Sequence, residues 1–117
     1  MAKSFRLATL NLLQDDWLRE ERLALVIAEA KRLKPDILMF QEVAFTAGVH
    51  EKLEKSLPGY HMRICRRSGV DSHLGSATFS RFKPLADERL ALSQNRVAQK
   101  LVLEIGGTKI NFINAHL

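Results

Sequence analysis

Three polar residues stand where chemistry is possible in this chain of 117 residues: Asn11 in Thr9-Leu10-Asn11-Leu12-Leu13, Glu42 in Ile37-Leu38-Met39-Phe40-Gln41-Glu42-Val43, and His116 in Ile110-Asn111-Phe112-Ile113-Asn114-Ala115-His116-Leu117. Each lies at the end of an apolar run that reads as a strand. A carboxylate closing a buried strand sits on the rim of a sheet with a rigid base behind it. There it can hold Mg²⁺, which takes one or two carboxylates together with waters and substrate phosphate oxygens. An amide late in a buried strand needs partners, so Asn11 either holds a phosphate oxygen or ties down the loop that follows. Asn114 and His116 are two apart and share a face of an extended strand. A histidine there can donate to a scissile phosphate and stabilise charge as it spreads over the oxygens. The plain alternatives are a solvated strand-end glutamate and a surface histidine.

The elements that must position these groups follow from periodicity. Phe5 to Leu13 reads as a buried strand ended by Gln14-Asp15-Asp16. Asp15 or Asp16 can cap the helix that follows, in which Leu23, Ile27, Ala30 and Leu33 fall on one face until Pro35 stops it. Ile37 to Val43 opens with four apolar residues in succession, as a strand covered on both faces would. A second helix is predicted over Val49 to Leu57, ended by Pro58-Gly59, then strands over Tyr60 to Arg66 and Ser76 to Phe82. Val97 to Ile105 and Lys109 to Leu117 are strands joined by Gly106-Gly107-Thr108, where Gly-Gly supplies positive φ for a hairpin. The expectation is one α/β unit over residues 1–117, with two helices and about six strands.

Composition narrows the class. With 46% hydrophobic and 26% charged residues the chain is an ordinary globular one, not a disordered one. One cysteine, Cys65, excludes an internal disulfide, and its apolar neighbours suit a small core residue. No signal peptide or membrane span is visible, so a cytoplasmic setting is the default expectation. The net charge of +5 would suit a polyanion, but the basic residues are dispersed, with local clusters only at Arg63-Arg66-Arg67 and Lys31-Arg32-Lys34. His50, His61 and His73 have no metal-ligand spacing with one another or with Cys65, and no phosphate loop or nucleophile motif occurs.

Taken in order, Thr-Leu-Asn-Leu at 9–12, Pro-Asp-Ile-Leu-Met-Phe-Gln-Glu-Val at 35–43, Gly-Ser-Ala-Thr-Phe-Ser-Arg-Phe at 75–82 and Asn-Ala-His-Leu at 114–117, with Arg96 opening the penultimate strand, resemble the endonuclease/exonuclease/phosphatase superfamily. The resemblance implies an α/β (α+β) fold, half of a four-layer α/β/β/α sandwich, with one mixed sheet of about six strands and two helices on its outer face. It implies Glu42 as a ligand of Mg²⁺ (or Mn²⁺), Asn11 beside metal and phosphate, and His116 on the scissile phosphate. Arg81, and Asn114 beside His116, are further candidates for substrate phosphate. The implied substrate is a phosphate ester: nucleic acid, lipid headgroup or sugar phosphate. The family's later Gly-Asp-x-Asn and Ser-Asp-His motifs do not occur in these 117 residues.

Three readings therefore stand at this level: part of a Mg²⁺-dependent phosphoesterase, inactive by itself; a non-catalytic half-domain that pairs with itself; and a small basic nucleic-acid-binding module. One sheet with helices on its outer side would leave its inner side apolar and bare, which predicts a two-fold homodimer or a covering second half of the domain.

Overall fold

The computed structural model describes residues 4–116; Met1, Ala2, Lys3 and Leu117, the last of which was expected to end the final strand, lie outside it. The chain order is β1 (Leu7–Asn11), α1 (Arg19–Leu33), β2 (Ile37–Ala44), α2 (Val49–Ser56), β3 (His61–Arg66), a 3-10 turn (Gly69–Asp71), β4 (Leu74–Ser80), β5 (Ala86–Ala91), β6 (Val97–Ile105) and β7 (Thr108–Ala115). The α/β class and both helices match the sequence reading. No helix among the described residues is long and apolar enough to cross a membrane.

The single six-stranded sheet is corrected. The strands form two sheets, a mixed one in the order β1-β2-β4-β3 and an antiparallel one in the order β5-β6-β7. The additional strand, β5, is Ala-Asp-Glu-Arg-Leu-Ala and mostly exposed, so it has no buried apolar face to announce it. Its backbone pairing with β6, Ala86 with Val102 through Ala91 with Val97, defines it. The β6–β7 hairpin turns at Gly106 and Gly107, φ 60° and 85°, as a two-residue hairpin turn requires.

β2 is buried on both faces because each face has its own core. Leu38, Phe40 and Val43 pack with Leu23 and Ala30 of α1, Val49 and Leu53 of α2, and Ala77 and Phe79 of β4. Ile37 and Met39 instead meet Leu103, Ile105 and Phe112 of the second sheet, joined by Phe5, Phe82 and Ile110. The expectation of a bare inner face is thus corrected: the chain's own β6 and β7 cover it, and the argument for a dimer through that face falls with it.

Helix α1 differs from expectation at both ends. Its N-cap is Leu18, with no side-chain cap bond, because Asp15 accepts from the Trp17 amide (2.7 Å) and shapes the preceding loop instead. Arg22 fastens that loop, donating to the carbonyls of Leu12 (2.8 Å), Leu13 (3.1 Å), Asp15 and Trp17 (2.8 Å). Leu23 and Ala30 are buried, whereas Leu33, in the last turn, is exposed.

Candidate active site

The β1-α1-β2 unit brings the first two candidates to one rim. β1 and β2 are parallel and in register from Leu7 with Ile37 to Asn11 with Gln41, so Asn11 and Glu42 leave the sheet at the same end. The Asn11 side-chain oxygen accepts from the Leu13 amide (2.8 Å), the loop-tying role. Its nitrogen lies 3.5 Å from His116 Nε2, so the end of β7 reaches the same rim from the second sheet.

Glu42 is presented by a break in the strand. The β2–β4 register shifts between Phe40 and Val43, and Glu42 itself is left-handed at φ 54°. A regular strand would follow Leu38 and Phe40 with Glu42 in the helix-side core. The bulge places Val43 there instead, and Glu42 is half-buried beside Leu12, Leu13, Arg19 and Arg22 at the strand end. None of the ion pairs among the described residues, Glu29–Arg32, His50–Glu51 and Glu88–Lys100, includes Glu42. Left-handed backbone costs a residue with a Cβ roughly 1–2 kcal/mol, and such strain clusters at functional sites. Glu42→Gly is therefore expected to be more stable than Glu42→Ala by about 1 kcal/mol. Urea midpoints check this; equal midpoints would remove the strain.

His116 is oriented by two arginines that the spacing of motifs alone did not assign to the rim. Arg67 lies 3.1 Å and Arg96 3.4 Å from His116 Nδ1, and Arg96 also donates to the His116 carbonyl (3.1 Å). A guanidinium only donates, so Nδ1 is the acceptor and the proton of the neutral ring sits on Nε2. With both Nε2 and the Asn11 amide nitrogen as donors, their 3.5 Å contact leaves the Nε2–H for an external acceptor. The signals for these two were the Arg63-Arg66-Arg67 cluster and the place of Arg96 at the start of a strand.

Two candidates do not join the rim. Asn114 is buried and its amide is fully engaged: Nδ2 donates to Phe40 O (3.2 Å), Ala77 O (3.3 Å) and Thr78 Oγ1 (3.1 Å), while Oδ1 accepts from Gln41 Nε2 (2.9 Å). It locks the two sheets together and has no capacity left for a phosphate. Arg81 follows Ser80, which pairs with Ile37 at the opposite end of β2 from Glu42. There it donates to the Pro35 carbonyl (3.2 Å) and lies over the Tyr60 ring at 4.7 Å. Cys65 is buried, and burial, only partly countered by Arg89, pushes its thiol pKa up. That is the opposite of an activated nucleophile.

Among the described residues no three His, Cys, Asp or Glu side chains gather as a metal cluster. Glu42 with the neighbouring Asn11 fits the sparse protein contribution that Mg²⁺ accepts, one carboxylate with the rest from water and substrate.

No family model matches the sequence, and no curated protein matches it. Solved structures do match the fold. An endonuclease/exonuclease/phosphatase family protein from Leptotrichia buccalis superposes with a TM-score of 0.77 at 15% identity, over 97% of this chain and 55% of its own. A mannosyl-6-phosphatase of Bacteroides thetaiotaomicron gives 0.82 at 20% identity, over 97% and 52%. D. rerio TDP2 complexed with a single-strand DNA product gives 0.81 at 17% identity, over 97% and 46%. The chain thus spans about half the length of these proteins, and over that half it shares their fold.

Proposed function

We propose that this chain contributes the metal-holding carboxylate and the phosphate-orienting histidine of a metal-dependent phosphoester hydrolase. The observation that carries the reading is that parallel β1 and β2 end together, with Glu42 in a left-handed bulge and Asn11 at the same rim, and that the Asn11 amide nitrogen lies 3.5 Å from His116 Nε2. Solved structures of the same fold include a mannosyl-6-phosphatase and TDP2 complexed with a single-strand DNA product, which supports a phosphate ester as the substrate class.

In this reading Glu42 would hold Mg²⁺ or Mn²⁺ with Asn11 beside it, and the bound metal would supply Lewis-acid stabilisation of charge developing on phosphate oxygens. The chain's own residues do the rest of what is assigned here. His116 donates Nε2–H to a non-bridging phosphate oxygen, held in that tautomer by Arg67 and Arg96. The two guanidiniums add fixed positive charge behind it, and Asn11 keeps the loop after β1 closed on its own backbone.

The 117 residues carry one part of such a site. Members of one catalytic unit do not contribute additively, so the chain alone is expected to hydrolyse an activated phosphodiester no faster than buffer with Mg²⁺ or Mn²⁺. Its metal contact is tested without turnover. Mn²⁺ should broaden the NMR signals of residues around Asn11 and Glu42, and Glu42→Gln should abolish that broadening. Broadening that is unchanged in Glu42→Gln would reject the assignment of the metal ligand. Turnover that vanishes in Glu42→Gln would reject inactivity and show that the chain completes its site from a second molecule.

A further inference from the structure

The edge strands of the two sheets are not alike. On one side of the sandwich, β3 carries Arg63 and Arg66, and β5 carries Asp87, Glu88 and Arg89. Arg89 ties that side shut, donating from β5 to the Arg66 carbonyl of β3 (3.3 Å). On the other side, β1 and β7 have no charged residue from Leu7 to Asn11 or from Ile110 to Ala115. Charged side chains are the usual protection of an open strand edge against pairing with another chain. The β1/β7 side lacks them, and large apolar side chains stand exposed on its strands: Leu7 (50%), Leu10 (46%) and Ile113 (56%).

That side is also stepped. Ile37 and Met39 of β2 are buried under the second sheet, whereas Leu7 and Thr9, their partners on β1 and on the same face, are exposed. β1 therefore overhangs β7 and leaves a step beside it. The Arg6 carbonyl and the Leu12 amide bond toward β2, so by alternation the N–H and C=O groups of Leu7, Thr9 and Asn11 point away from the sheet. On its helix side β1 borders an apolar cleft of roughly 210 Å³ under α1, lined by Leu10, Val26, Leu33, Leu38 and Phe40 among others.

We propose that a second copy of this chain fills the step, β1 of each copy pairing in parallel along β7 of the other, and so brings a second Asn11 to the rim beside each His116. A two-fold axis along the strands, between the two sheets, exchanges the sheets, so the overhang of one copy occupies the step of the other. Such an axis keeps every residue at its own height along the strands. Because Asn11 meets His116 within one chain (3.5 Å), the register between chains is Leu7 with Phe112, Ala8 with Ile113, Thr9 with Asn114 and Leu10 with Ala115. The faces agree in this register. Leu7, Thr9, Phe112 and Asn114 are on inner faces, and Ala8, Leu10, Ile113 and Ala115 on outer ones, whereas a shift by one residue would oppose them. Ile113 then stands at the mouth of the cleft under α1 of the second copy. The two seams cover Leu7, Leu10 and Ile113 of both copies, on the order of 800 Å² per copy, the standard size of a specific interface. This is edge on edge, since β6 and β7 already cover the inner face of β2. Both rims lie at the same end, and Asn11 of the second copy is one strand spacing, about 4.8 Å, from the His116 backbone. The pairing does not depend on the phosphoesterase reading; only the role of the shared rim rests on it.

Sedimentation velocity of the 117-residue chain in chelator, from low to high micromolar, tests the pairing. Wild type is expected at twice 13.3 kDa. Ile113→Lys and Leu10→Lys should each raise the dissociation constant about 100-fold or more, because a charge in the seam has no partner there. Both positions are exposed in the single chain, so both variants should keep the far-UV circular dichroism of wild type. Wild type that stays at 13.3 kDa, or a dimer indifferent to both substitutions, overturns the proposal. A second readout needs no variant. In a mixture of methyl-labelled and unlabelled chains, NMR contacts between chains should join Ile113 with Ala8 and Leu10. Contacts of β1 with β1 alone overturn the β1–β7 seam. The His116 ring signals should shift on dilution through the dissociation, and signals that stay in place would remove the second copy from the rim. A dimer without any Mn²⁺ broadening at Glu42, once metal replaces chelator, fails the hydrolase reading alone. Broadening at Glu42 in a chain that stays monomeric fails the pairing alone.

Discussion

Gly75→Ala is expected to lower the thermal midpoint by roughly 10 °C or more, a loss of about 3 kcal/mol from a domain whose whole stability is of order 5–15 kcal/mol. A Cβ at Gly75 would stand 2.1 Å from the Cys65 carbonyl oxygen and 2.9 Å from both the Arg66 Cα and the Phe45 ring. Two of those three neighbours are backbone, so no side-chain rotation relieves the clash, and β3 and β4 would have to part. Gly75 pairs with Val43 across β2 and with Arg66 across β3, so the same displacement would reach the Glu42 bulge on one side and the Arg66 end of β3 on the other. Differential scanning calorimetry decides the point. A variant that melts with wild type would mean that the strands absorb the methyl group without strain.

Asn114→Leu should cost about 3–5 kcal/mol, because several buried groups lose their partners at once and each orphan costs roughly 1–3 kcal/mol before relaxation. Gln41 donates to Thr9 Oγ1 (2.9 Å) and to Asn114 (2.9 Å), Asn114 donates to Thr78, and Thr78 donates to Gln99 (2.8 Å). The chain of bonds crosses from the first sheet to the second. Replacing both ends of the Gln41–Asn114 bond leaves neither as the orphan of the other, so Gln41→Leu/Asn114→Leu is expected to be less destabilised than the sum of the two single variants. Urea unfolding of the four proteins measures the coupling. Strict additivity would show that the network is not a unit.

How far the fold could be read along the chain depended on what each segment buries. β2 was legible because four consecutive apolar residues signal a strand covered twice, and Ile37 and Met39 do face one core while Leu38 and Phe40 face the other. The Gly106-Gly107 hairpin was legible because its turn demands positive φ at both positions. β5 was not, since an exposed edge strand with Asp87, Glu88 and Arg89 in succession has the pattern of a loop until a neighbour pairs with its backbone. The same blindness merged two sheets into one: strand periodicity states which face is apolar, not which sheet the strand joins.

The site divides along the same line. Local sequence was enough to put Asn11 and Glu42 at the ends of apolar strands, and a helix between two parallel strands was enough to bring those ends together. That Asn114 locks the core instead of meeting phosphate, that Arg81 lies at the far end of the sheet, and that Arg67 and Arg96 set the tautomer of His116, were decided only by tertiary structure. The physical reason is range. Strand type, helix phase and turn chemistry arise from sterics and burial within a few residues, and are written locally. A side chain's partner across two sheets depends on how the sheets pack, as Arg67 and His116 meet across 49 positions of chain.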